Sequence, residues 1–95
     1  MNIFYFRFSC IPINNSENYE NYAGGYVNCW IRSNNEDSAQ RIAEGVISKQ
    51  EWEVEHLEEK FIIEKGYYGQ NDEGAKYYEQ ALLDSECCVF HTWER

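Results

Sequence analysis

Ile3-Phe4-Tyr5-Phe6-Arg7-Phe8-Ser9-Cys10 is the stretch that decides the fold. Phe4, Phe6, Phe8 and Cys10 alternate with Ile3, Tyr5, Arg7 and Ser9. A period of two is the signature of a pleated strand, whose successive side chains leave on opposite faces. The phenylalanine face belongs in the core. The opposite face is mixed, with Arg7 and Ser9 suited to water. Pro12 closes the strand, because proline has no N–H to give to a ladder.

A second strand follows Gly24-Gly25. Val27, Cys29 and Ile31 form one face, and Tyr26, Asn28, Trp30 and Arg32 the other. The two strands pair as an antiparallel hairpin across residues 14–22, which read as a polar loop. That pairing brings Tyr5, Tyr26 and Trp30 together on the face away from the core.

Residues 33–49 read as a helix. Ser33 followed by Glu36 fits a capping box, and Glu36-Asp37 suits the positive end of the helix dipole. Ala39, Ile42, Ala43, Val46 and Ile47 fall on one buried stripe. Gly45 costs about 1 kcal/mol against alanine there. A third strand spans 51–58, with Trp52 and Val54 opposite Glu53 and Glu55. Leu57 breaks the alternation, and a bulge near His56 restores it. Phe61-Ile62-Ile63 is a short apolar run readable as an edge strand or a core plug. Gly66-Tyr67-Tyr68-Gly69 marks a loop. A second helix, capped by Asn71 or Asp72, covers 73–84 with a stripe of Gly74, Tyr77, Tyr78, Ala81 and Leu82. The last strand, 87–93, has apolar residues on both faces and reads as central, doubly covered or partly covered.

The order is β-β-α-β-α-β. The predicted fold class is α+β: a two-layer sandwich with an about four-stranded, mostly antiparallel sheet and two helices on one face. The chain has 95 residues, enough for one domain, 1–95. Apolar residues make up 43% and aromatics 17%. With a single proline, this composition excludes a disordered tail, a proline-rich linker and a collagen-like rod.

Charge narrows the partners. The formal net charge is −9, and residues 51–95 hold twelve of the 17 acids. Direct binding to nucleic acid is not expected, since it is driven by cations neutralising phosphates. The same sign argues against a polybasic membrane anchor. No apolar stretch approaches the roughly 18 residues of a membrane helix. The first residues lack the pattern of a secretory leader, which makes cytoplasmic the expected location. In that reducing setting Cys10, Cys29, Cys87 and Cys88 read as free thiols.

Catalytic and metal chemistry find little support. Cys87 and Cys88 point to opposite faces of a strand, as do Cys88 and His91, so no metal and no cofactor are implied. Glu53, Glu55, Glu58 and Glu59 cluster, but with no apolar pocket to split their pKa values they read as a solvated strand face. His56 and His91 lack a visible nucleophile partner. No catalytic residue is assigned, and the chain is not expected to be an enzyme.

The aromatic residues point to recognition instead. Tyrosine and tryptophan give large contact area at low entropy cost. Aromatic rings ringed by carboxylates suit a basic protein partner, as in small inhibitors and immunity-type proteins. The expected interaction residues are Tyr5, Tyr26, Trp30, Glu53, Glu55, Glu58, Glu59, Tyr67 and Tyr68. The alternative readings are a homodimer through the Tyr5/Tyr26/Trp30 face, and a small-ligand or enzymatic pocket near Tyr77, His56 and His91.

Overall fold

A computed structural model describes residues 1–69 and 72–95. Its elements run β1 (Asn2–Pro12), α1 (Glu17–Asn21), β2 (Tyr22–Ser33), α2 (Glu36–Lys49), β3 (Trp52–Ile63), α3 (Glu73–Asp84) and β4 (Glu86–Glu94). The four strands form one antiparallel sheet in the order β3-β1-β2-β4. The α+β class and the antiparallel hairpin of the first two strands stand as the sequence implies. No helix among the described residues is long and apolar enough to cross a membrane.

Three local features differ from the sequence reading, each for a physical reason. The polar loop contains the short helix α1, capped by Ser16, whose hydroxyl accepts from the Tyr19 N–H at 3.1 Å. Helix α2 starts later than expected. Asn35 is its cap, accepting from Ser38 N at 2.8 Å, while Ser33 stays in β2 opposite Asn2. Ladder pairing therefore outcompetes the Ser33–Glu36 capping box. At α3 the cap residue is Asp72, but its carboxylate accepts from Gly69 N at 2.7 Å rather than from the helix. Asn71, the other candidate cap, lies outside the described residues.

Strand β3 absorbs Phe61-Ile62-Ile63 into one run, and it does carry the bulge. Its register against β1 shifts twice, between Arg7 and Phe8 and between Ser9 and Cys10, leaving Glu58 and Glu55 as the extra residues. Leu57 thereby comes opposite Phe8 and Val54 opposite Cys10, while Glu53, His56 and Glu59 fall to the other face.

The helices do not share a face. Phe4, Phe6, Phe8, Cys10, Val27, Cys29 and Ile31 pack against Ala39, Ala43 and Ile47 of α2, with Trp52. This sheet-on-helix layer is the sandwich read from the sequence. The other helix lies on the reverse side, where Ala81 joins Ile3, Trp30 and Ile63, with Tyr5, Phe61, Tyr77, Cys87 and Val89 packed around them. The reason is that β1 and β2 are apolar on both faces near one end of the sheet. Small alanines already seat α2 on the first face, and the second needs its own cover. The same arrangement corrects the position of the last strand. β4 is an edge strand, and it is apolar on both sides because Cys88 and Phe90 face α2 while Cys87 and Val89 face α3.

Phe6 and Phe8 are fully buried and stack at 5.8 Å between ring centroids. Truncating such a ring leaves a cavity as well as losing burial. Phe6→Ala is predicted to cost about 3–5 kcal/mol, against less than about 0.5 kcal/mol for Leu83→Ala, whose side chain is 79% exposed. Urea titrations of the two variants measure the difference.

Candidate protein-docking surface

The reverse face of the sheet is divided. Helix α3 covers the end that holds Ile3, Tyr5, Trp30, Phe61 and Ile63. The start of α3, at Glu73, Gly74 and Tyr77, borders the remainder at Asn28 and His91, and the register assembles that remainder in two rows. One row runs Glu59, Arg7, Asn28, and the next runs His56, Ser9, Tyr26, His91. Trp93 follows, opposite Gly24.

The covered end is an aromatic cluster built around Trp30, which is only 4% exposed. Tyr5 meets its ring edge-on at 5.2 Å, and Tyr77 of α3 lies over it at 4.9 Å. The indole N–H donates to the Tyr68 hydroxyl at 2.9 Å. Tyr68 reaches this spot because Gly74 lacks a side chain: a Cβ there would clash with the Tyr68 ring. Burial, with a smaller contribution from Glu59, pushes the Tyr5 hydroxyl up to about 12.

These contacts correct one expectation. Tyr5, Tyr26 and Trp30 do not form a single exposed face, because α3 and Tyr68 cover Trp30 and half-bury Tyr5. The surface invoked for a homodimer is therefore mostly occupied by the chain itself. Tyr26 alone of the three lies at the open end. The Arg7 guanidinium sits 4.4 Å from its ring centroid, and Trp93 meets it edge-on at 5.5 Å. Tyr67 is 57% exposed beside Tyr68.

The carboxylates lie where strand patterning puts them. Glu53, Glu55, Glu58 and Glu59 are all exposed along β3, which is a sheet edge. Glu59 approaches Arg7 at 3.7 Å, a loose and solvated pair worth little in stability. Lys60 pairs instead with Glu36 at 2.9 Å, tying β3 to the start of α2.

The Tyr26 end also holds three buried polar atoms with no hydrogen-bond partner among the described residues: Arg7 Nε, Ser9 Oγ and Asn28 Oδ1. All three lie in the two rows above. Buried polar groups are nearly always satisfied, and atoms this enclosed are reached by ordered water rather than by a docked protein. Trp93, the most exposed tryptophan at 47%, completes the surface. Sequence reasoning did not select Trp93, Arg7, Ser9 or Asn28. The one available signal was Gly24: a Cβ there would come within 2.9 Å of the Trp93 ring, so the glycine marks where the indole lies.

The pocket reading is met only in part. A cleft of about 180 Å³ between the sheet and the start of α3 is lined by Asn28, Trp30, Glu73, Gly74, Tyr77 and His91. His56 does not line it. It stands three strands away from His91 in the same row, about 14 Å at the usual strand spacing, too far for shared acid–base work. Among the described residues no group of three or more His, Cys, Asp or Glu is arranged to hold a metal. Comparison with protein families, with curated proteins and with solved structures returned no match, so the functional reading rests on this geometry.

The Tyr5 hydroxyl gives a pH test of the covered end. Its folded pKa of about 12 lies above its ordinary 10, so the folded chain holds the proton more tightly. The stability it contributes is complete below pH 10 and is lost as pH rises toward 12. Thermal unfolding across that range should show a steeper decline for the native chain than for Tyr5→Phe.

Proposed function

We propose that this chain is a small acidic protein-binding module that docks on a basic protein partner. The acidic edge of β3 and the open end of the reverse sheet face form the docking surface. The observation that carries this reading is the coincidence of three features on one side of the sheet. An exposed tryptophan and its tyrosine neighbour lie there, the polar side chains of Arg7, Ser9 and Asn28 stand beside them, and four exposed glutamates line the adjacent edge.

The two parts do different work. The carboxylates of Glu53, Glu55, Glu58 and Glu59, within a chain of net charge −9, attract a cationic surface and speed encounter. Trp93 and Tyr26 supply contact area, which governs how long the complex lasts. Tyr67 and Tyr68 extend the aromatic surface past the covered end. They line a cleft of about 400 Å³ with Tyr78 and Leu82. A partner whose own function depends on a basic surface, a nucleic-acid site for instance, would be blocked by such docking. This is the action of an inhibitor or immunity-type protein. The chain itself binds no nucleic acid and performs no catalysis in this reading, and it works in the cytoplasm.

Capture from native extract at low salt, elution by a salt gradient and binding measurements on the purified partner test the proposal. The eluted partner should be basic, and its affinity should fall at least tenfold between about 50 and 500 mM salt. Replacing the four β3 glutamates by glutamine should mainly slow association. Trp93→Ala should mainly speed dissociation and cost about 1–3 kcal/mol. Binding that ignores both salt and the glutamate replacements would refute the electrostatic docking.

A further inference from the structure

We infer that Cys29 and Cys88 are a modification site: a thiol pair that closes to a cross-strand disulfide when a low-molecular-weight disulfide such as oxidised glutathione is supplied. The two residues are direct register partners in β2 and β4. Arg32 N donates to Ser85 O at 2.8 Å, which makes 32/85 a hydrogen-bonded pair. Counting back along the alternating ladder, 31/86 is non-hydrogen-bonded, 30/87 hydrogen-bonded and 29/88 non-hydrogen-bonded. Non-hydrogen-bonded partners bring their Cα atoms to about 4.5 Å, within the range a disulfide spans.

The side chains agree with the backbone. The Cys88 thiol donates to Cys29 Sγ at 3.1 Å, closer than two sulfurs approach without a shared hydrogen. Formation of the bond needs a further approach of about 1 Å. The other cysteines offer no comparable partner. Cys10 pairs with Gly25, and Cys87 pairs with Trp30 and packs in the α3 cluster on the opposite face.

Access differs between the two sulfurs. Cys29 is fully buried, whereas Cys88 is half-buried on an edge strand. The oxidant therefore meets Cys88 first. The Cys88 thiolate attacks one sulfur of the oxidised glutathione, forming a mixed disulfide and expelling one glutathione thiolate. Cys29, losing its proton to solvent, attacks the Cys88 sulfur and expels the second. Two electrons pass from the cysteine pair to the glutathione disulfide, and two glutathione thiols are released. The hydrogen bond from Cys88, together with burial, keeps the Cys29 thiol protonated well above its ordinary range. Once Cys88 is a mixed disulfide that hydrogen bond is gone, but burial still disfavours the Cys29 thiolate, so the second step accelerates as pH rises.

The bond would join residues 59 apart in sequence and fasten edge strand β4 to β2. It stands apart from the docking reading, since it concerns the opposite face of β4 and requires no partner protein.

The test uses the folded native chain, equilibrated with oxidised glutathione at about pH 8 and then blocked with a thiol alkylator in denaturant, so that the buried thiols also react. The expected product is lighter by two hydrogens before blocking. It carries two alkylated cysteines rather than four, and its peptide map joins the segments of Cys29 and Cys88. Its Tm should rise by about 10–20 °C, as expected for closing a loop of this length. Cys88→Ala should abolish both the bond and the rise, and Cys87→Ala should leave both intact. Four alkylated cysteines after equilibration, or a bond mapping to Cys87 or Cys10, would overturn the inference. The mapping is read on the native chain and holds even if a variant folds poorly.

Discussion

The structure depends on one constraint: a small antiparallel sheet whose central strands are apolar on both faces. β1 carries Phe4, Phe6 and Phe8 on one side and Ile3 and Tyr5 on the other, and β2 carries Cys29 and Ile31 against Trp30. Each fully buried ring or aliphatic side chain contributes about 1.5–3 kcal/mol, so neither face can be left wet. A single helix covers one face only. The chain answers with α2 on the first face and α3 on the second, held by Trp30, Tyr68 and the space left at Gly74.

The second cover is partial, and that creates the candidate site. Beyond Tyr5 and Trp30 the reverse face changes character to Arg7, Ser9, Asn28 and Tyr26, residues that do not require a helix above them. The acidic edge beside it serves a structural end as well. Two bulges and a row of glutamates keep β3 from pairing with a stray strand. The same carboxylates, held clear of the body by edge position, are available to a cationic partner. Edge protection and the proposed recognition would draw on one and the same charge pattern.

Much of this was legible in the sequence. Alternation over 3–10 and 26–32 marks both central strands and their faces, and the misplaced Leu57 announces a bulge in β3. The stripe through Ala39, Ala43 and Ile47 marks the buried side of α2. What was not legible depends on strand order. A last strand apolar on both sides reads as central until the helices are known to lie on opposite faces. Trp30 reads as exposed until α3 is known to cover it. Trp93 could not be singled out without knowing that Gly24 is its neighbour across the ladder. The Ser33 capping box failed because a ladder partner at Asn2 held that residue in β2, a long-range contact no local motif reports.

The central claim is that α3 covers one end of the reverse face and leaves the other to solvent. Hydroxyl-radical footprinting of the three tryptophans tests it most directly, with oxidation of each residue read by mass spectrometry. Trp93, at 47% exposure, should oxidise rapidly, while Trp30 and Trp52, each at 4%, should be protected until the chain unfolds. Rapid oxidation of Trp30 together with protection of Trp93 would mean that the helix covers the other end, and the proposed docking surface would not exist.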